Sequence, residues 1–474
     1  MQEAGAATRP SKGRSWFLLA VLSIVYLYGS LDRIVISLLV DPIKADLGLT
    51  DTQVSLLIGM AFVLVYSAAG LIMGALVDRL SRSTLLAIGV AVWSLMTALC
   101  GMASTFWTLF FARAGVGIGE ATLTPAGYSL ISDAFERRRL GLALGIFTMG
   151  GAIGTGLSLI LGGYAIGALS RYGDIRIAVL GTLHPWQLTF VLLALPGFVL
   201  ALIVAALRGV PHHHLHTADG QPPRPAGAIA FYRANTAFMT RHHLATGLSS
   251  MALLGAYSWI APFFARVYGW SPSEVGFTAG LVSIIGTPAG LLGGGALGDH
   301  LLDRGAQIRL LLCAASVACA AVFGVIYPLV ASPVASVVLF GAMVMFATVP
   351  SGVGNAAMQH IVPHEVRGRV SAIYSFSVSM IGMLGPTLIA ATSDHFFPFA
   401  GGIAYATAVV VPIALVLAVL FWLWAVPPYR ALDMKAEAEV YADATRAISP
   451  VGRVEPLSEH GPVEAPDAGL ERAG

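Results

Sequence analysis

The chain has 474 residues, of which 57% are hydrophobic and 11% are charged, whereas an average soluble domain has about 25% charged residues. This composition excludes an ordinary soluble fold and indicates an integral membrane protein. The net charge of +2 at pH 7 gives no reason to expect a nucleic acid partner.

Apolar stretches long enough to cross a bilayer as a helix, about 20 residues each, recur along the chain. The sequence predicts twelve of them, at roughly 15–40, 52–77, 83–103, 105–133, 140–168, 185–208, 243–268, 274–298, 308–329, 334–361, 368–393 and 402–426. The predicted fold class is therefore an all-α membrane protein with twelve transmembrane helices.

The basic residues are distributed unevenly between the two sides of this predicted bundle. If the N-terminus is cytoplasmic, eighteen Lys and Arg residues lie on the cytoplasmic side and four outside, namely Lys44, Arg171, Arg176 and Arg266. Cytoplasmic loops carry an excess of Lys and Arg, so both termini are predicted in the cytoplasm, with the chain in the bacterial inner membrane. A cleaved signal peptide is not expected, because the first apolar run has no small-residue cleavage pattern.

The chain repeats itself across a long central polar break. GALVDRLSR from Gly74 matches GALGDHLLDR from Gly295, FARAGVGIGEA from Phe111 matches FATVPSGVGNA from Phe346, and ERRRLGLA matches EVRGRVSA. Three matches in the same order predict two pseudo-symmetric six-helix halves, which place a shared site at their interface. The predicted division is a cytoplasmic segment at 1–14, halves at 15–208 and 243–426, a cytoplasmic central loop at 209–242, and a disordered cytoplasmic tail at 427–474.

Enzyme and nucleotide motifs are missing from the sequence. No Lys follows a Gly, so a Walker A loop is impossible, and neither an HExxH nor a GxSxG pattern occurs. Cys100, Cys313 and Cys319 fall in apolar stretches and are interpreted as core residues. The histidines at 212, 213, 214 and 216 are expected in a solvated loop. No enzymatic activity, no metal and no cofactor other than protons is expected.

Four full charges fall well inside predicted spans: Asp32, Arg33, Arg113 and Glu120. Each would cost about 2.5–3.5 kcal/mol at the bilayer centre, so they are expected to face protein or a water-filled cavity. Arg113 and Glu120 are two helical turns apart on one face of the fourth span, whereas Asp32 and Arg33 point about 100° apart. One of this adjacent pair is expected to meet the cavity and the other a partner helix.

A purely structural role for these charges, as two ion pairs that lock the first helix to the fourth, is the alternative. Buried ion pairs can be kept for specificity without any turnover. The second half, however, has Thr348 and Asn355 at the positions that match Arg113 and Glu120. A charge set confined to one half of a symmetric scaffold favours a functional role.

The loop motif G-x-L-x-D-R-x-x-R from Gly74, together with twelve spans in two halves, resembles the major facilitator superfamily, although Ser81 replaces the usual glycine. SLDR in the first span, AVWSLMTALCG at 91–101 and ARAGVGIGEATLTPAGYSLISD in the fourth span resemble its Spinster branch. The resemblance implies that Asp32, Arg33, Arg113 and Glu120 form the functional set. It also implies a cytoplasmic gate that is formed by Gly74, Asp78, Arg79, Arg82 and Asp299.

Within this set, Asp32 and Glu120 are predicted to carry protons, and Arg33 and Arg113 to pair with them or with an anionic substrate head group. Asn355 is predicted as a polar cavity residue that meets Glu120. The aromatic residues Tyr257, Trp259 and Phe263 are candidates for an apolar substrate path.

The predicted function is proton-coupled secondary active transport by alternating access, by a chain that acts as a monomer. The resemblance implies an amphipathic, lipid-like substrate such as a lysophospholipid or a sphingoid phosphate. Symport of a small organic anion is one alternative. A lipid-binding receptor or scaffold that does not transport is the alternative from another class.

Overall fold

The computed structural model describes residues 11–77, 80–177, 181–207, 226–363, 366–399 and 401–448. The chain divides into two compact units, residues 1–430 and 431–474. The first unit contains all the predicted membrane spans. The described part of the second unit, 431–448, is helical.

The first half of the chain is almost entirely helical. Its helices are α1 (Lys12–Leu38), α2 (Val40–Leu47), α3 (Asp51–Ile58), α4 (Val65–Val77), α5 (Arg82–Cys100), α6 (Phe106–Glu120), α7 (Leu123–Ala134), α8 (Arg137–Leu169) and α9 (Pro185–Ala206). A π-helical segment, Met60–Leu64, joins α3 to α4. Before α9, two short strands, β1 (Ile175–Ile177) and β2 (Gly181–Leu183), pair antiparallel with Ile175 opposite Leu183; the sequence did not predict this hairpin.

The second half continues with eight helices. They are α10 (Ala226–Ala234), α11 (Thr236–Tyr268), α12 (Pro272–His300), α13 (Ile308–Ile326), α14 (Pro333–Ile361), α15 (Arg367–Gly382), α16 (Leu384–Phe396) and α17 (Gly402–Ile448), with a 3-10 turn at Leu302–Arg304. Two predicted boundaries are corrected. The predicted loop at 209–242 holds α10 and the first turns of α11, and the predicted tail at 427–474 is helical as far as Ile448.

Eleven helical segments in the described residues are long and apolar enough to cross a membrane. The remaining predicted span, the fourth at 105–133, corresponds to α6 and α7, which are separated at Ala121–Thr122. The predicted twelve-helix, all-α membrane fold is confirmed, with two of its spans, 105–133 and 368–393, each built from two consecutive helices.

Proline explains the two breaks inside predicted spans. Pro125 and Pro386 cannot donate the backbone hydrogen bond to the residue four positions earlier, and their rings crowd that carbonyl. Those residues are Ala121 and Gly382, where α6 and α15 end. Proline alone does not decide the outcome, because α12 continues through Pro288.

The two halves pack closely through glycines of α8 and α12. A Cβ atom built on Gly280 would meet the Gly156 carbonyl oxygen and would lie 3.2 Å from the backbone nitrogen of Ile160. A Cβ atom on Gly276 would lie 2.9 Å from the Cα atom of Gly163. Small residues let transmembrane helices approach backbone to backbone, so these glycines fix the distance between the halves here.

We therefore expect Gly280→Leu to separate α8 from α12 and to lower the free energy of unfolding by about 1–3 kcal/mol. The matched control is Gly293→Leu on the same helix, where an added Cβ atom meets nothing within 4 Å. Reversible unfolding in mixed detergent micelles measures the free energy of unfolding of both variants. Equal losses in the two variants would contradict this packing.

Candidate functional site

The four intramembrane charges come together as two pairs between α1 and α6. Arg33 Nη2 lies 2.5 Å from Glu120 Oε1. Arg113 Nη1 lies 3.9 Å from Asp32 Oδ1 and donates a hydrogen bond to the Asp32 backbone oxygen at 3.3 Å. These contacts hold the first span against the fourth.

Asp32 is buried, as are Arg113 and Glu120. Its residue exposure is 0%, and Thr97 of α5 donates a hydrogen bond to its Oδ2 atom at 2.6 Å. The Oδ1 atom is buried and has no hydrogen-bond donor among the described residues. One carboxylate oxygen is therefore held by a hydroxyl, and the other faces only the more distant Arg113 guanidinium.

A cavity of about 340 Å³ lies between the two halves, next to these pairs. Its lining comes from the first half (Tyr26, Ser30, Arg33, Ile34, Ser37, Ile58, Phe62, Val63, Tyr66, Arg113, Gly151 and Thr155) and from the second (Ser250, Leu254, Tyr257, Ser258, Ser379 and Gly382). Within the described residues, both arginines line the cavity and neither acidic partner does. The cavity therefore presents positive charge, with the carboxylates behind it.

Phe62, in the π-helical segment, lies beside both guanidinium groups. The Arg33 Cζ atom is 5.8 Å from the centre of its ring and the Arg113 Cζ atom is 5.3 Å from it. An aromatic face attracts a cation at such distances, and π-bulges are frequent at functional sites. The sequence did not predict a role for Phe62, because a single Phe in an apolar span does not indicate that its ring contacts a guanidinium group.

Only one of the three predicted aromatic path residues reaches the cavity. Tyr257 lines it and accepts a hydrogen bond from Ser283 Oγ at 3.0 Å. Trp259 is buried and donates to the Pro386 oxygen at 2.8 Å, whereas Phe263 packs on Phe264 with ring centres 4.9 Å apart. The predicted place of Trp259 and Phe263 on a substrate path is corrected, because both rings are buried inside the second half and do not line the cavity.

Asn355 lies on α14, and its Oδ1 atom is buried without a hydrogen-bond donor among the described residues. The structure pairs Glu120 with Arg33 and shows no hydrogen bond from Asn355 to Glu120. The predicted meeting of these two residues is therefore corrected. Arg33 of α1 occupies the position beside Glu120 that was predicted for the Asn355 amide.

The predicted gate residues do not pair across the halves where the structure describes them. Arg82 forms an ion pair with Asp133 and donates to Ser129 Oγ at 2.9 Å, both on α7 of the same half. Asp299 accepts from Arg309 Nη2 at 3.2 Å within the second half. Gly74 lines a cavity between α4 and α15, and the predicted gate residues Asp78 and Arg79 lie outside the described residues.

Ion pairs do join the halves at the opposite end of the bundle, here named the Arg266 end. Arg266 of α11 lies 2.6 Å from Asp41 Oδ1 and 2.5 Å from Asp51 Oδ2. Thr52 donates to Asp394 Oδ2 from its hydroxyl at 2.7 Å and from its backbone nitrogen at 2.9 Å. These contacts close the Arg266 end.

The sequence did not predict this cluster. Lys44 and Arg266 were predicted only as charges outside the membrane. Arg266 and Asp51 are 215 positions apart, and nothing local in either segment indicates the partner. The nearest signal is the capping box at the start of α3, in which Thr50 and Gln53 fix the helix end that carries Asp51.

The protein is a helical membrane bundle with two halves around a charged central cavity, an arrangement that is typical of multi-pass membrane transporters. The chain belongs to the major facilitator superfamily, because the model of the Major Facilitator Superfamily matches residues 22–386. It is accordingly a transporter and not an enzyme.

Three comparisons place it more closely. It is 28% identical over 441 residues to an MFS-type efflux pump of Mycolicibacterium smegmatis, covering 88% of this chain and 94% of the relative. It is 25% identical to a probable L-galactonate transporter of Escherichia coli, covering 76% and 78%. A crystal structure of a bacterial homolog to the human lysosomal transporter Spinster, inward-facing and unoccupied, superposes with a TM-score of 0.73 at 25% identity over 90% of this chain and 98% of that one. The predicted resemblance to the Spinster branch is confirmed.

The Arg33 and Glu120 pair predicts an asymmetric response to substitution. Arg33→Met leaves a carboxylate that is 1% exposed without its partner, so we expect a loss of about 3–5 kcal/mol in the free energy of unfolding. Glu120→Gln should cost about 1–2 kcal/mol, because the Arg33 side chain is 29% exposed and can be hydrated from the cavity. Unfolding of both variants in detergent measures whether Arg33→Met loses more free energy of unfolding than Glu120→Gln. Equal losses would contradict the prediction.

The Arg266 cluster predicts that Arg266→Gln opens its end of the bundle. Asp41 and Asp51 would then repel each other without a shared cation. Spin labels at Ala45→Cys and Phe396→Cys, in a background without the three native cysteines, should show a longer distance population by pulsed electron resonance. Arg171→Gln, an exposed position, is the control, and an unchanged distance in Arg266→Gln would refute the closure.

Proposed function

We propose that the protein is a proton-coupled carrier of small, hydroxyl-bearing organic anions, with Arg33 and Arg113 binding the anionic group. The observation that carries this proposal is the orientation of the two ion pairs. Both arginines line the cavity and neither acid does; the Arg33 side chain is 29% exposed, whereas Arg113 is buried beside it at 1% exposure. Arginine binds carboxylates and phosphates through paired N–H donors.

Charge balance supports proton coupling. The four side chains sum to zero when all are ionised, and an anion that enters the cavity leaves an excess negative charge in a weakly polar environment. Such charge is costly in a membrane, so anion binding favours proton uptake by a carboxylate. We assign the principal proton site to Asp32, because its carboxylate lies 3.9 Å from its arginine whereas that of Glu120 lies 2.5 Å from Arg33, and Glu120 is the second site.

Hydroxyl groups and apolar side chains both line the cavity, and the apolar surface is the larger share. Nine of its eighteen residues carry a hydroxyl group, and a volume of about 340 Å³ lies within the usual range for small-molecule sites, about 300–1,000 Å³. A relative is named as a probable L-galactonate transporter, and a sugar acid of that kind combines a carboxylate with several hydroxyls. These points favour an organic anion over the lipid-like substrate that the sequence predicted.

A lipid-like anion is the second candidate. Ile34, Ile58 and Leu254 give the cavity an apolar wall. A second cavity of about 440 Å³ shares Tyr66 and Ser379 with it and continues toward Gly74. An acyl chain could occupy this extension, and the structural likeness to a bacterial Spinster homolog agrees with either anion.

We further propose that both termini are cytoplasmic, as the bias of Lys and Arg predicts. The closed Arg266 end then faces outward, and the second cavity leads toward the cytoplasm. In this orientation the structure corresponds to an inward-facing state of an alternating-access cycle.

The test is transport in proteoliposomes with an imposed pH gradient. We expect the gradient to drive accumulation of a sugar acid, and Asp32→Asn to abolish the dependence on the gradient, because its amide cannot exchange a proton. Asp174→Asn, an exposed carboxylate on the same protein, serves as the control.

The substrate panel contains L-galactonate, a hexuronate, a neutral hexose and a lysophospholipid. Transport of the lysophospholipid alone would favour the second candidate. Binding without transport of any member would identify a receptor or scaffold, and an unchanged gradient dependence in Asp32→Asn would refute its assignment.

A further inference from the structure

A basic cavity lies away from the central site, where α1 and α8 begin. Its volume is about 440 Å³, and its lining includes Lys12, Arg138 and Arg139 with a single acid, Glu136. Ser15 donates a hydrogen bond to the Ala134 oxygen at 2.9 Å, which holds the start of α1 against the end of α7. The wall of the cavity is therefore fixed by the fold, while its charge is unbalanced.

The three cations are uncompensated within the described residues. The side chains of Lys12, Arg138 and Arg139 are exposed and have no hydrogen-bond or ion-pair partner there. Glu136 offsets one of the three charges, so the lining keeps a surplus of two. A cavity with a surplus of this size can bind an anion without any rearrangement of existing pairs.

The repeated sequence shows that this surplus is not required by the fold. ERRRLGLA from Glu136 corresponds to EVRGRVSA from Glu365, which makes Arg367 the counterpart of Arg138. Arg367 Nη2 donates to the backbone oxygens of Gln359 and Val362 at 3.2 and 3.3 Å, at the end of α14. In the first half the equivalent arginine has no such contact, and Arg139 stands where the second half has Gly368.

We propose that this cavity binds a phosphate-bearing anion, the head group of an acidic phospholipid. The cavity lies where two candidate membrane spans begin, and the ends of such spans meet the head-group region of a bilayer. Trp16 lines it, packs edge-on to Phe135 with ring centres 5.3 Å apart, and keeps 37% exposure. Tryptophan concentrates at this interface, and basic pockets between transmembrane helices bind acidic head groups.

The experiment measures lipid binding to the purified full-length protein by native mass spectrometry, with phosphatidylglycerol and phosphatidylcholine as separate probes. Wild-type protein should bind phosphatidylglycerol more tightly than phosphatidylcholine, and Arg138→Gln/Arg139→Gln should weaken phosphatidylglycerol binding about 30-fold, which is about fivefold per arginine. The charge-matched control is Arg171→Gln/Arg176→Gln, which removes two exposed arginines at the Arg266 end and should leave binding unchanged.

The arginine-to-lysine double variant at 138 and 139 should keep most of the binding, because it preserves the charge. Equal affinity for the two lipids, or equal loss in the control variant, would overturn the proposal. Displacement of phosphatidylglycerol by millimolar inorganic phosphate would overturn the lipid source and identify a site for soluble phosphate. The central-site transport assay is independent of each of these outcomes.

Discussion

The cost of holding two carboxylates inside a membrane governs the centre of this structure. Each acid is matched by an arginine from the other helix, so α1 and α6 must approach closely. Gly29 makes this possible, because a Cβ atom there would lie 2.8 Å from Glu120 Oε1. On α6 itself, a Cβ atom on Gly117 would lie 2.9 Å from the Phe62 oxygen. The same close packing brings the π-helical segment beside the guanidinium groups.

Phe62 restrains the direction in which the side chains of Arg33 and Arg113 point. An arginine that only balanced an acid could point in any direction that satisfied it. Here the ring lies within 6 Å of both guanidinium carbons, and Tyr66 lies 5.5 Å from that of Arg33. The cations are thus kept at the cavity wall by aromatic faces, which do not neutralise them.

Hydropathy predicted the spans well because the penalty for a polar group in lipid is local and acts on each residue separately. The same penalty singled out Asp32, Arg33, Arg113 and Glu120. It could not show which acid meets which arginine, since that depends on helix rotation, nor that the arginines would face the cavity. The Arg266 cluster was missed for a related reason: its charges lie at helix ends, where exposure to water costs nothing and no anomaly appears in the sequence.

The two ends of the bundle differ in where their ion pairs are made. At the Arg266 end the pairs cross between the halves, whereas Arg82 with Asp133 and Arg309 with Asp299 stay within one half each. Glycine packing of α8 on α12 strengthens the closed end. A rocking motion that opens this end must break Arg266 from two carboxylates at once, which is costly unless they acquire protons or other partners. The Arg266 end is therefore held by ion pairs between the halves, and the central site by ion pairs within the first half.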